Sequence, residues 1–87
     1  MSLDVEEAQL MYKLAVAKGN WGAKYDRLEH FKKFPNLNLI VKELINKGWI
    51  IFHKKPQYNA ISLDTKYKKE IIEFIESKMP EVKGNIC

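Results

Sequence analysis

Leu37-Asn38-Leu39-Ile40-Val41-Lys42-Glu43-Leu44-Ile45-Asn46-Lys47-Gly48-Trp49-Ile50-Ile51-Phe52-His53 changes its periodicity at Gly48, and that change decides the fold. Before the glycine, Leu37, Ile40, Val41, Leu44 and Ile45 recur at the spacing of one apolar stripe on an α-helix. After it, Trp49 to His53 is dense in β-branched and aromatic residues, Lys54-Lys55-Pro56-Gln57 favours a turn, and Tyr58 to Leu63 alternates polar and apolar residues. A helix that runs straight into a β-hairpin with a basic tip follows. Asn36 or Asn38 can cap the helix, and Lys47-Gly48 marks its end.

Upstream, Pro35 closes a segment that begins at Ala23, because the proline ring excludes the helical conformation for the residue before it. Within that segment Tyr25, Leu28, Phe31 and Phe34 recur while Lys24, Arg27, Lys32 and Lys33 face elsewhere, which predicts a short amphipathic second helix. A first helix is expected from the capping-box spacing of Asp4 and Glu7, through Val5, Ala8, Leu10, Met11, Leu14, Ala15 and Ala17, to Lys18-Gly19. Gly19-Asn20-Trp21-Gly22 is a turn in which Trp21 reads as a core plug rather than a ligand platform. Downstream, Asp64 or Thr65 caps a last helix reaching about Met79, with Tyr67, Ile71, Phe74, Ile75 and Met79 on one stripe and Ile72 widening it. Residues 1–80 therefore read as one α+β domain, and residues 81–87, after Pro80, as a flexible C-terminal tail.

The composition narrows what such a domain can do. Eighty-seven residues with 46% hydrophobic content support one core and leave little material for a buried active-site cavity. No apolar run approaches the roughly 18 residues of a membrane span, and the acidic opening is unlike a secretory signal, so a cytoplasmic protein is expected. Cys87 is the only cysteine, which excludes an intrachain disulfide and a cysteine zinc cage. His30 and His53 lack partners at metal-ligand spacing, the four glycines form no phosphate loop, and no nucleophile motif occurs. No metal, no cofactor and no enzymatic activity are expected.

The net charge of +4 is unevenly placed. Nine basic residues face three acidic ones between Lys18 and Lys55, whereas the start of the chain is acidic and the stretch after Lys55 is balanced. A basic middle suits a polyanion, because each neutralised phosphate releases a counterion. Fourteen of the fifteen basic residues are lysine, which favours point-charge attraction to phosphate over bidentate reading of guanine.

Val41-Lys42-Glu43-Leu44-Ile45-Asn46-Lys47-Gly48-Trp49-Ile50 resembles, position by position, the apolar-x-x-Leu-x-x-x-Gly-apolar-Ile segment that joins the third helix to the wing in winged helix-turn-helix regulators. Ile61 to Glu70 is similar to the passage from wing to last helix in regulators of the multiple-antibiotic-resistance type and related archaeal and bacterial proteins. It departs from that pattern where Asp64 splits Leu63 from Thr65. The resemblance implies a three-helix core, a two-stranded hairpin wing and a C-terminal helix. It further implies a sequence-specific binder of double-stranded DNA, a homodimeric regulator of transcription whose third helix lies in the major groove.

On that reading Asn36, Asn38, Leu39, Lys42 and Asn46 face outward toward the groove, where Lys42 can reach a phosphate or a guanine. Asn36 and Asn38 serve either as base readers or as caps, and Leu39 either touches a thymine methyl or marks a protein surface. Lys54, Lys55, Gln57 and Tyr58 at the hairpin tip either hold phosphates or keep an edge strand soluble. Lys24, Arg27, Lys32 and Lys33 are candidates for flanking phosphates. Leu10, Met11 and Leu14 with Ile71, Ile72, Phe74, Ile75 and Met79 either form a two-fold dimer interface or simply cover the core. The alternatives are a winged helix used as a protein-interaction module and a plasmid or viral replication or copy-control protein. No effector ligand is legible, and the lysine, isoleucine and asparagine bias suggests an AT-rich genome, archaeal or viral.

Overall fold

Three runs of apolar residues at helical spacing and two at strand spacing must share one core. In the computed structural model, which describes residues 3–17, 21–22 and 24–84, they do so as α1 (Asp4–Tyr12), β1 (Asp26–Arg27), α2 (Leu37–Asn46), β2 (Ile50–Lys54), β3 (Asn59–Leu63) and α3 (Lys68–Lys78). Among the described residues the protein is thus an α+β fold of three α-helices and a three-stranded antiparallel sheet in the order β1-β3-β2. Leu10, Met11, Leu14, Ile40, Leu44, Ile61, Leu63, Ile71 and Ile75 are wholly buried, so the core lies where α1, α2 and α3 meet the sheet. Trp21 packs half-buried against this core and bridges to Leu63, as a plug should.

The passage from α2 into the sheet depends on Gly48. Its φ of +79° is the left-handed conformation that glycine adopts without steric cost. With it in place the Gly48 N–H donates to the Ile45 carbonyl (2.9 Å) and the Trp49 N–H to that of Leu44 (3.1 Å), closing the helix in a Schellman motif. The chain leaves directly into β2, whose register with β3 sets Ile50 opposite Leu63, Phe52 opposite Ile61 and Lys54 opposite Asn59. The Lys55 N–H donates to the Tyr58 carbonyl at 2.9 Å and closes the hairpin tip.

The expected second helix is the main departure. Asp26–Arg27 is instead a strand paired with Ile61 and Ala60, so the sheet has a third strand beyond the two-stranded hairpin. Leu28–Phe31 is a single 3-10 turn. The cause is local: one Asp26 carboxylate oxygen accepts the Arg27 N–H at 2.9 Å and also meets His30 Nδ1, offering the backbone an alternative to the helical ladder. The free edge of β3 then gains a partner for its backbone groups. Leu28, Phe31 and Phe34 keep their inward places, because a spacing of three is the period of a 3-10 helix rather than of an α-helix.

The helix ends differ in detail. α1 begins at Asp4 with Leu3 before it, so Asp4 and Glu7 close no capping box. The Asp4 carboxylate meets Lys78 (3.4 Å) and that of Glu7 meets Lys47 (3.0 Å). A π-helical turn, Lys13–Ala17, extends α1, and the expected Lys18-Gly19 end lies outside the described residues. Asp64 does cap, accepting the Lys66 N–H at 2.9 Å above the 3-10 turn Thr65–Tyr67 that leads into α3. Beyond Met79, where a tail is expected, Pro80–Val82 forms another 3-10 turn and Val82 joins the core.

Candidate nucleic-acid interface

Because Ile40, Val41 and Leu44 point inward, α2 turns Asn38, Lys42 and Asn46 outward, four residues apart and exposed. Leu39 stands beside this ridge and is 56% exposed. The ridge is open to solvent rather than packed against the domain. Asn36 behaves otherwise: it occupies the N-cap position without a side-chain cap, and its amide donates to Glu6 Oε2 at 3.3 Å. That contact ties the helix start to α1.

The hairpin folds back beside α2 and encloses a cleft of about 280 Å³. Asn38, Lys42, Ile45 and Asn46 line it from the helix, Phe52 and Asn59 from the hairpin, with Leu28 and Val41 between. An adjoining hollow shares Leu28, Asn38 and Asn59 and adds Lys32, Gln57 and Tyr58. Tertiary structure therefore gathers Asn38, Lys42, Asn46, Lys32, Gln57 and Tyr58, each a sequence-predicted contact residue, on one face. It adds Asn59, Ile45 and Phe52, which sequence reasoning missed. Ile45 reads as part of the apolar stripe of the helix and Phe52 as one residue of an aromatic, β-branched run, yet they are 37% and 40% exposed where they line the cleft. Lys33 lines a separate groove of about 430 Å³ with Glu6, Tyr12, Lys13, Phe34, Pro35 and Met79. At that groove the neighbouring Lys33 lowers the pKa of Lys13, with burial adding to the effect.

The cations around the hairpin differ in how tightly they are held. Lys54 and Lys24 are exposed. The Lys55 ammonium sits 5.0 Å from the centre of the Tyr25 ring. The Arg27 guanidinium lies 4.3 Å from that of Tyr58 and pairs with Glu29 at 3.2 Å. The neighbouring Tyr25 hydroxyl raises the Tyr58 pKa above the ordinary phenol value, with burial adding to the effect. Tyr25, Arg27, Lys55 and Tyr58 thus brace the hairpin against β1. Of the two tip lysines it is Lys54 that is presented outward.

His53 anchors the same brace. Its ring lies 4.7 Å from that of Tyr25, and its Nε2 is 2.9 Å from Ser62 Oγ. The Ser62 hydroxyl donates its proton to the Gly22 carbonyl, so His53 Nε2–H is the donor to Ser62. Burial, followed by the Lys55 charge, lowers the His53 pKa below the ordinary histidine value. The stability this contributes is complete above the unfolded-state pKa of ~6.5 and declines as the pH falls from there toward the lower folded-state value. His53→Gln keeps a donor for Ser62 and is expected to flatten the fall of the urea midpoint below pH ~6.5. An unchanged slope in the variant would remove His53 from the pH dependence.

The residues expected at a dimer interface have a different place. Leu10, Met11, Leu14, Ile71 and Ile75 are fully buried within the single chain and have no surface to offer a second copy. The apolar width of α1 and α3 is used by their packing against each other and against the sheet. Ile72, Phe74 and Met79 are half-buried and keep some outer surface. Among the described residues no three His, Cys, Asp or Glu side chains converge as a metal site, and no helix is long and apolar enough to cross a membrane. Cys87 lies outside the described residues. No protein-family model, curated protein or solved structure matches the chain.

Proposed function

We propose that this chain is a winged helix-turn-helix domain that binds double-stranded DNA as a regulator of transcription, with α2 in the major groove and the hairpin tip on adjacent phosphates. One observation carries the reading: the exposed Asn38, Lys42 and Asn46 ridge opens onto the same cleft as Asn59, beside a hollow lined by Lys32 and Gln57. Carboxamides can bond base edges, and the exposed Lys32, Lys42 and Lys54 can pair with phosphates. The order of elements supports the same reading: a helix, a short strand, a one-turn helix, α2, a hairpin and α3, with β1 paired to the returning hairpin strand. Two copies meeting through Ile72, Phe74 and Met79 would set two such helices on one pseudo-palindromic site. Light scattering on the free and DNA-bound chain counts the copies.

Titration with a random-sequence duplex at rising salt tests the proposal. Three phosphate-contacting lysines correspond to a slope of log affinity against log salt of about −2.7. Affinity that does not depend on salt, or no binding at all, overturns it. A protein-interaction module is the second reading, favoured by the exposure of Ile45 and Phe52 in one cleft and of Leu39 beside the ridge. It predicts no salt-dependent duplex binding.

A further inference from the structure

Resting on the duplex-binding reading, we infer that the face formed by α2 and the hairpin selects A·T base pairs, using carboxamides for adenine and apolar side chains for the thymine methyl. The inventory of the face carries this. Its amide groups are Asn38, Asn46, Gln57 and Asn59, and its exposed apolar groups are Ile45 and Phe52 in the cleft and Leu39 in a neighbouring hollow that shares Asn38 and Lys32. An asparagine or glutamine amide matches the paired donor and acceptor at adenine N6 and N7, and the thymine methyl is the apolar group that the major groove displays. Set against the polar edges of a G·C pair, the same leucine, isoleucine and phenylalanine would strip water from base atoms without replacing their hydrogen bonds.

What the face lacks points the same way. Bidentate recognition of guanine is done best by arginine, and the chain's one arginine, Arg27, is engaged with Glu29 and the Tyr58 ring. Lys42 is the basic residue in the ridge itself, flanked by Asn38 and Asn46. Glu43, the exposed acid of α2, is not among the residues lining the cleft, and Glu29, which lines the adjoining hollow, is paired with Arg27. Asn38 and Asn46 are eight residues apart, which at about 1.5 Å per residue spans some 12 Å of helix axis, or between three and four base pairs. The favoured target is therefore a short run of A·T pairs.

The test compares the full chain on four duplexes of equal length by fluorescence anisotropy at one fixed salt concentration. One contains A·T pairs only, one G·C pairs only, one is the A·T duplex with uracil in place of thymine, and one is the G·C duplex with 5-methylcytosine. The A·T duplex is expected to bind about tenfold or more tighter than the G·C duplex. Removal of each thymine methyl that the face touches, in the uracil duplex, is expected to cost about fourfold, and 5-methylcytosine to regain part of the difference. Leu39→Ala, a change at an exposed position, is expected to bring the thymine-to-uracil ratio toward one. Equal affinity for the thymine and uracil duplexes, or an unchanged ratio in Leu39→Ala, overturns the methyl contact and leaves DNA binding standing. No binding to any of the four overturns the duplex reading itself.

Discussion

Lys47→Met is expected to lower the unfolding free energy by about 3 kcal/mol, chiefly by stranding a carboxylate. Glu7 is 3% exposed on the inner side of α1, and its Oε1 lies 3.0 Å from Lys47 Nζ at the end of α2. The ammonium also stands 5.2 Å from the Trp49 ring centre and 4.8 Å from that of Phe74, so one cation joins two helices and the start of the sheet. Without it the carboxylate must take up a proton or remain charged in an apolar setting, and either is costly. The Lys47 side chain is itself partly solvated, at 35%. Its own desolvation is therefore the smaller part, and the loss falls mainly on Glu7. Glu7→Leu combined with Lys47→Met is expected to recover most of the stability, since a buried ion pair replaced by apolar groups of similar volume is often neutral. Urea unfolding of the two singles and the double closes the cycle. A Lys47→Met chain within about 0.5 kcal/mol of the parent shows that the pair does not hold α1 to α2.

Lys42→Ala with Lys54→Ala is expected to weaken duplex binding about a hundredfold at low salt, roughly tenfold for each charge-assisted hydrogen bond removed. The salt slope should shrink by about two, one for each phosphate no longer neutralised. Both lysines are exposed and neither is part of the core, so the urea midpoint is expected to stay where it is. Lys55→Ala offers a contrast. Its ammonium rests over Tyr25, so its removal should loosen the hairpin brace more than it reduces the slope. If the double variant keeps the parent's slope, Lys42 and Lys54 do not meet phosphates and the placement of the duplex is wrong.

Legibility in the sequence follows the range of the forces involved. The apolar spacing of Leu37, Ile40, Val41, Leu44 and Ile45 sets the inward face of α2, and so its outward ridge, without knowledge of any neighbour, except that Ile45 at the edge of the stripe is exposed. Gly48 and the β-branched run after it are equally readable, because a helix stop and a hairpin are local events. The segment from Ala23 to Phe34 reads as an α-helix, and its described part, residues 24–34, is not one. Its spacing of three is the available sign of a 3-10 turn, and the pull of the Asp26 carboxylate on its own backbone is the competing term. The expected dimer face shrinks for another reason. A broad apolar stripe records how much of a helix is covered, and says nothing about whether the cover is the same chain or another.

By itself the sequence determined the α+β composition, the helix that leads into the hairpin, the residues presented on its outer side and the concentration of positive charge in the middle of the chain. Tertiary structure decided that β1 completes the sheet, that Glu7 and Lys47 meet 40 positions apart, and that Asn59 and Phe52 face Asn38 and Asn46 across one cleft. The division has a physical cause. Periodicity and capping act over a few residues and are written in their order, whereas burial and ion pairing depend on which distant segments the closing core brings together.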